Sequence, residues 1–356
     1  MADDVRFAQM ADGREIAYRV VSNGDGPLIV HSPGGHWPID LLEQDPMYDR
    51  FIQTLAASGR LVLYDKPSVG SSDPIDPDRD FFVEMTDAYL AVLDALDADG
   101  AWIVDDRPAV NAATTRSHPD RVLGVVLVLA ISASRFNKGV DARVARERPS
   151  DDYTRTRMPS RADDPAFLEW IRRARRLGAS ATDAASLYGS EREATERFVA
   201  NAEPNLGASP VMLIRRRDAA SPAMLRWWHG VFPDAECVTI EGGDSMIMGL
   251  DAGLIAELAV GFITGEPVEA LIQRQLVAVL FTDLVDSTPT AAASGDTVWR
   301  STLDRYEAAL QRTIQRHHGT VVKHTGDGAL ATFPSGSEAI AAAIALRSAI
   351  SDLGLE

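Results

Sequence analysis

Cysteine is almost absent: Cys237 is the only one in 356 residues. No internal disulfide can form, and the composition fits a reducing compartment. Long apolar runs are missing too. The longest, "VLGVVLVLAISA", falls short of the roughly 20 residues a membrane-spanning helix needs. The start, "MADDVRFAQMADG", has neither the basic opening nor the apolar stretch of a secretion signal, so a cytoplasmic protein is expected. Basic charge is scarce: 35 Lys and Arg face 52 Asp and Glu, a net charge of -17. A phosphate backbone calls for a cationic surface, which argues against a nucleic-acid binder. Hydrophobic residues at 46% nevertheless suffice for a folded core, and the length suits two domains.

Strand-like and helical stretches alternate up to about residue 135. "REIAYRVV", "PLIVHS", "LVLYD", "AWIVDD" and "RVLGVVLVLAIS" read as strands, and "FFVEMTDAYLAVLDAL" has helical spacing. This order predicts a doubly wound α/β fold, a parallel sheet with helices on both faces. An Arg-rich helical block over about 136–206 interrupts it, and "PVMLIRRRD" and "AECVTI" then resume the sheet. The block reads as an insertion between strands of one sheet. A short linker is expected at 266–276. Beyond it "LVAVLFTD" reads as a strand, followed by a helix with Trp299, Leu303, Tyr306, Leu310 and Ile314 on one stripe. "TVVKHTGDGALATF" reads as a hairpin turning at "TGDG".

"LVAVLFTD" places Asp283 at a strand end, and the hairpin tip carries Asp327. If the two strands are neighbours, the carboxylates share one mouth and need a cation between them. Mg²⁺ suits two carboxylates plus substrate phosphates. The residues after Asp283 lead into a helix whose N–H groups can receive phosphate. "VAVLFTDLVDST" and "HGTVVKHTGDGALATF" together resemble the first half of a class III adenylate/guanylate cyclase catalytic domain, over residues 277–356. The resemblance implies an incomplete α+β (ferredoxin-like) domain binding two Mg²⁺ or Mn²⁺ ions through Asp283, Asp327 and the Leu284 carbonyl. It further implies ATP as substrate, contacted by Lys323, Phe281, Asp286, Ser287 and Thr288, and a homodimer formed through this domain. Asp286 stands where many relatives have glycine. The family's transition-state Asn and Arg have no counterpart in this chain. The expectation is therefore an adenylate cyclase in an intact, longer product, with the present chain inactive alone.

Residues 1–265 resemble the α/β-hydrolase fold, with "LIVHSPGGHW" as the loop after the third strand and the helical block as its cap. The catalytic positions do not match. In "IVDDRPAVNAA", Asp105 takes the place of the first glycine of the nucleophile elbow, Arg107 that of the serine and Ala109 that of the next glycine. A guanidinium stays protonated and cannot attack a carbonyl. Ser245 replaces the histidine, and Asp218 alone matches the acid. The expectation is a hydrolase-like domain without a triad, which senses an unidentified small molecule or supports dimerisation. The expectation is an Asp105–Arg107 or Asp106–Arg107 ion pair filling the old site, rather than an anion-binding Arg107. His31 and His36 read as structural, and Ser71 and Ser72 as turn residues. The alternatives for the whole chain are an esterase or epoxide-hydrolase type enzyme and a non-catalytic ligand-binding protein.

Overall fold

A computed structural model describes residues 5–129, 154–155, 157–201, 209–219, 222–265, 278–285, 287, 289, 295–317, 319–324, 328–333 and 335–351. The chain divides after Ile272 into two compact units.

The first unit is an eight-stranded sheet. Its strands are β1 (Arg6–Gln9), β2 (Glu15–Val20), β3 (Leu28–His31), β4 (Arg60–Tyr64), β5 (Ala101–Asp105), β6 (Val122–Leu129), β7 (Val211–Arg216) and β8 (Glu236–Ile240), in spatial order β1-β2-β4-β3-β5-β6-β7-β8. From β4 to β8 every neighbouring pair is parallel; β1–β2 and β2–β4 are antiparallel. The expected all-parallel sheet thus has an antiparallel edge, because the short turn between β1 and β2 leaves room only for a hairpin. The central strands are apolar almost throughout, as in β6, where every residue but Leu123 is buried. Strands covered on both faces need no alternation.

Helices α1 (Pro46–Ser58), α2 (Phe81–Ala95) and α3 (Pro108–Ser117) precede β6. Asp45 caps α1 by accepting from Tyr48 N, with Pro46 at the first helical position; Asp80 caps α2 through Phe82 N and Val83 N. The insertion between β6 and β7 contains α4 (Pro165–Gly178) and α5 (Ala181–Asn201), the helical cap expected from sequence; its residues 136–153 lie outside the described ones. Helices α6 (Pro222–Val231) and α7 (Ala252–Thr264) complete the unit. One core, with Phe51, Ile52, Met212 and Leu258, fills one face of the sheet, and another, with Tyr89, Val92, Leu213 and Trp228, fills the other.

The second unit has strands β9 (Ala278–Thr282), β10 (Thr320–His324) and β11 (Ala329–Phe333), with helices α8 (Asp296–Arg316) and α9 (Gly336–Ser351). Its sheet is antiparallel in the order β10-β11-β9. Tyr306, Leu310 and Ile314 of the expected helical stripe are buried with Phe333, Ala342 and Leu346, and Trp299 and Leu303 pack against them. No helix among the described residues is long and apolar enough to cross a membrane.

Candidate functional site

The centre of the first sheet ends in three turns that meet: the loop after β3, the loop after β4, and the turn between β5 and α3. In the last of these, Arg107 immediately precedes α3, which opens on Pro108. Its backbone angles, φ -113 and ψ 71, lie away from the left-handed region, so the sharp, strained elbow that exposes a nucleophile is absent. The side chain turns inward and is almost fully buried. Its Nη2 donates to Asp105 Oδ2 at 2.8 Å and its Nε to the same oxygen at 3.2 Å; Nη2 also reaches the Ser32 carbonyl at 3.4 Å. Burial works to raise the Asp105 carboxyl, yet the charge and hydrogen bonds of Arg107 hold it below its ordinary value. Arg107 is pushed down by burial and, more strongly in sum, up by Asp105 and its neighbours.

The oxyanion-binding donors are lost as well. In this architecture one donor is the N–H of the residue after the nucleophile and another comes from the loop after the third strand. The first of those residues here is Pro108, which has no N–H. In the loop, Lys66 Nζ is buried and donates to the carbonyls of Pro33 at 2.6 Å, Gly34 at 3.1 Å and Gly35 at 2.6 Å. A trans peptide sets its N–H opposite its C=O, so three carbonyls converging on one ammonium turn the following N–H groups outward. They cannot close together on a developing oxyanion. Burial, followed by the Arg107 charge, pulls Lys66 down to about 8.

Asp106 faces this loop. A Cβ on Gly34 would lie 2.0 Å from its Oδ1, so only glycine fits beneath that carboxyl. Burial and the adjoining Asp105 push Asp106 up to about 7, and Oδ1 has no hydrogen-bond partner. Glu191 of α5 is half-buried and is raised by burial, with Lys66 and Arg107 opposing.

The remaining triad positions do not assemble. Ser245 is buried; its amide donates to the Arg157 carbonyl at 2.7 Å, and its hydroxyl has no partner. Asp218 is exposed at the end of β7 with its amide on the Gly242 carbonyl. His31 Nδ1 meets the Val104 carbonyl at 2.6 Å and Nε2 the Tyr48 hydroxyl at 2.7 Å, a buried structural bridge. His36 packs edge-on against Tyr188, centroids 4.3 Å apart, and is held neutral, its pKa brought down to about 3 by burial and the charges of Lys66 and Arg175. Ser72 Oγ donates to the Asp65 carbonyl and receives Ala17 N, and Ser71 N donates to Asp65 Oδ2. The cap is fastened over these loops. Arg161 pairs with Asp45 at 2.7 Å, its guanidinium lies 3.9 Å above the Phe167 ring, and Trp170 Nε1 donates to the Leu41 carbonyl at 2.8 Å.

In the second unit, β9 and β11 are neighbours, with Thr282 opposite Ala329, so Asp283 leaves its strand beside the start of β11. Asp283 is exposed and Leu284 buried; Phe281 is 75% exposed, Lys323 is exposed and Ser287 is half-buried. Asp286, Thr288 and Asp327 lie outside the described residues. Among the described residues no three His, Cys, Asp or Glu side chains stand together as a metal site. Of the three donors expected for Mg²⁺ or Mn²⁺, Asp283 and Leu284 are described and Asp327 is not.

No protein-family model matches the chain, and neither does any curated protein. Solved structures do. The enol-lactonase from Burkholderia xenovorans is 20% identical, with a TM-score of 0.59, covering 73% of this chain and 100% of its own. An esterase from a Rhodococcus species is 18% identical, TM-score 0.56, covering 74% and 99%. Epoxide hydrolase A from Mycobacterium thermoresistibile is 14% identical, TM-score 0.51, again covering 74% and 99%. The adenylate cyclase expectation, with its lyase activity and cyclic AMP product, is corrected by these comparisons. The similar structures are of hydrolase type, none of those named is a cyclase, and the hydrolase-fold alternative fits better. Over about 73% of its length, the chain carries an α/β-hydrolase fold.

Proposed function

We propose that the hydrolase-like unit is a non-hydrolytic ligand-binding domain. The observation that carries this reading is Arg107, buried and forked onto Asp105 at 2.8 Å where the fold requires a nucleophile. Losing the base at Ser245 and the donor at Pro108 removes the other two parts of covalent hydrolysis. Restoring one part leaves two missing. Steady-state assays with p-nitrophenyl acetate, p-nitrophenyl butyrate and styrene oxide test the proposal. The expected rates equal the protein-free blank, for the wild type and for Arg107→Ser. Saturable turnover removed by a single side-chain substitution would establish the enzymatic alternative instead.

For the second unit we infer a ferredoxin-like half, supported by its strand–helix–strand–strand–helix order and by α8 and α9 packing against one sheet.

A further inference from the structure

Helix α4 ends at Gly178 and α5 begins at Ala181, and the loop after β4 runs past the junction, where the Gly178 carbonyl receives Gly70 N at 2.7 Å. A cavity of about 220 Å³ lies there. Its walls include Ser68 and Ser72 of the loop and Arg176, Ser180 and Asp183 of the cap. Drug-sized ligands occupy roughly 300–1,000 Å³, so this cavity takes something smaller.

The two ionic groups on its walls are opposite in sign, and the fold explains why. A cation is favoured in the last turn of a helix and an anion in the first. Arg176 stands in the last turn of α4 and Asp183 in the first turn of α5, and the chain reversal between them brings both to one cavity. They do not pair with each other. Among the described residues Arg176 has no ion pair or hydrogen bond, and Asp183 pairs with no cation.

The hydroxyls between them are mostly engaged. Ser180 Oγ donates to Asp183 Oδ2 and accepts Asp183 N at 3.1 Å. Ser72 Oγ is spent on the Asp65 carbonyl and Ala17 N, whereas Ser68 Oγ accepts Ile75 N at 2.9 Å and keeps its hydrogen. The side-chain capacity left is the Arg176 guanidinium and the Ser68 O–H as donors, and Asp183 Oδ1 as acceptor. An anion alone would answer Arg176 but lie against the Asp183 carboxylate; a cation alone would do the reverse. A neutral polyol would meet both walls without Coulombic gain. A zwitterion presents a carboxylate to one wall and an ammonium to the other, both in charge-assisted hydrogen bonds.

We propose that the cavity between the loop after β4 and the α4–α5 junction binds a small zwitterion of the α-amino acid class, its carboxylate on Arg176 and its ammonium on Asp183 Oδ1. This assignment rests on the non-hydrolytic, ligand-binding reading above and adds to it the ligand class and its place. None of the elbow residues takes part.

Four probes of closely matched carbon skeleton separate the charges: L-2-aminobutyrate, butyrate, 2-aminobutane and 1,2-butanediol. Each is titrated into the full chain at pH 7.5 and followed by isothermal calorimetry and ligand-observed NMR. The expected result is saturable binding of aminobutyrate, with the other three at least tenfold weaker. Arg176→Gln and Asp183→Asn are each expected to weaken aminobutyrate at least tenfold. Arg176 is exposed, and Asn at 183 can still accept the Ser180 hydroxyl; circular dichroism of each variant verifies the fold. No saturable binding of aminobutyrate, equal or tighter binding of any other probe, or unchanged affinity in either variant would overturn the assignment. Ester or epoxide turnover by the wild type would instead overturn the reading beneath it, so the two failures are separable.

Discussion

Single residues decide what this fold can do. Asp106 has a pKa near 7 in the folded chain, well above its ordinary value of 3.8, chiefly because of burial and secondly because of Asp105. Its favourable contribution is complete below the unfolded pKa and is lost as pH rises through about 7. Asn mimics the protonated carboxyl and does not titrate. Asp106→Asn is therefore expected to melt higher than the wild type at pH 8, the gap closing as pH falls to 4, by at most about 1.4 kcal/mol per pH unit. His31 and His36, both with lowered pKa, drive stability the opposite way over much of this range, so the difference between the two proteins is the informative quantity. Lys66→Met strands three inward-facing carbonyls. Unmatched buried polar groups cost about 1–3 kcal/mol each, and part of that is relieved by relaxation. A loss of about 2–4 kcal/mol in urea unfolding is expected; an unchanged midpoint would mean the cage is unimportant.

At the level of elements, the cap depends on how α4 ends. A Cβ on Gly178 would lie 1.9 Å from the His36 carbonyl oxygen, and the Gly178 carbonyl itself receives Gly70 N at 2.7 Å. Gly178→Ala must push the cap from the β3 loop, with an expected loss of about 1–3 kcal/mol by differential scanning calorimetry. Gly189 inside α5 is the control: nothing lies within 4 Å of its Cβ position, so Gly189→Ala is expected to gain up to about 1 kcal/mol. Much of this layer was legible in sequence. "PLIVHS", "LVLYD", "AWIVDD", "PVMLIRRRD" and "AECVTI" are β3, β4, β5, β7 and β8, because β-branched runs bounded by turn formers signal buried strands. β1 carries no such signal: it is four residues long with only Ala8 buried, too short for a pattern.

For the whole molecule, the sequence was readable where function depends on residue identity and unreadable where it depends on distant contacts. The resemblance to the hydrolase fold is what singles out Arg107, Ser245 and Asp218, and the Asp105–Arg107 pair expected there is present. The Lys66 cage spans 31 to 33 positions, so nothing local in "YDKPSVG" announces it. Pro108 stands beside Arg107, and its missing N–H follows from residue type alone. The two cyclase-like motifs are short and confined to the last 80 residues, whereas the fold covering about 73% of the chain is hydrolase-like.

The central claim, that no activated nucleophile survives in the hydrolase-like unit, has one direct measurement. The full chain is incubated with an excess of a fluorophosphonate, which reacts with serine hydroxyls activated by a base, and its intact mass is recorded. The mass is expected to stay that of the unmodified chain. A stoichiometric phosphonyl adduct mapping to the first unit would contradict the account.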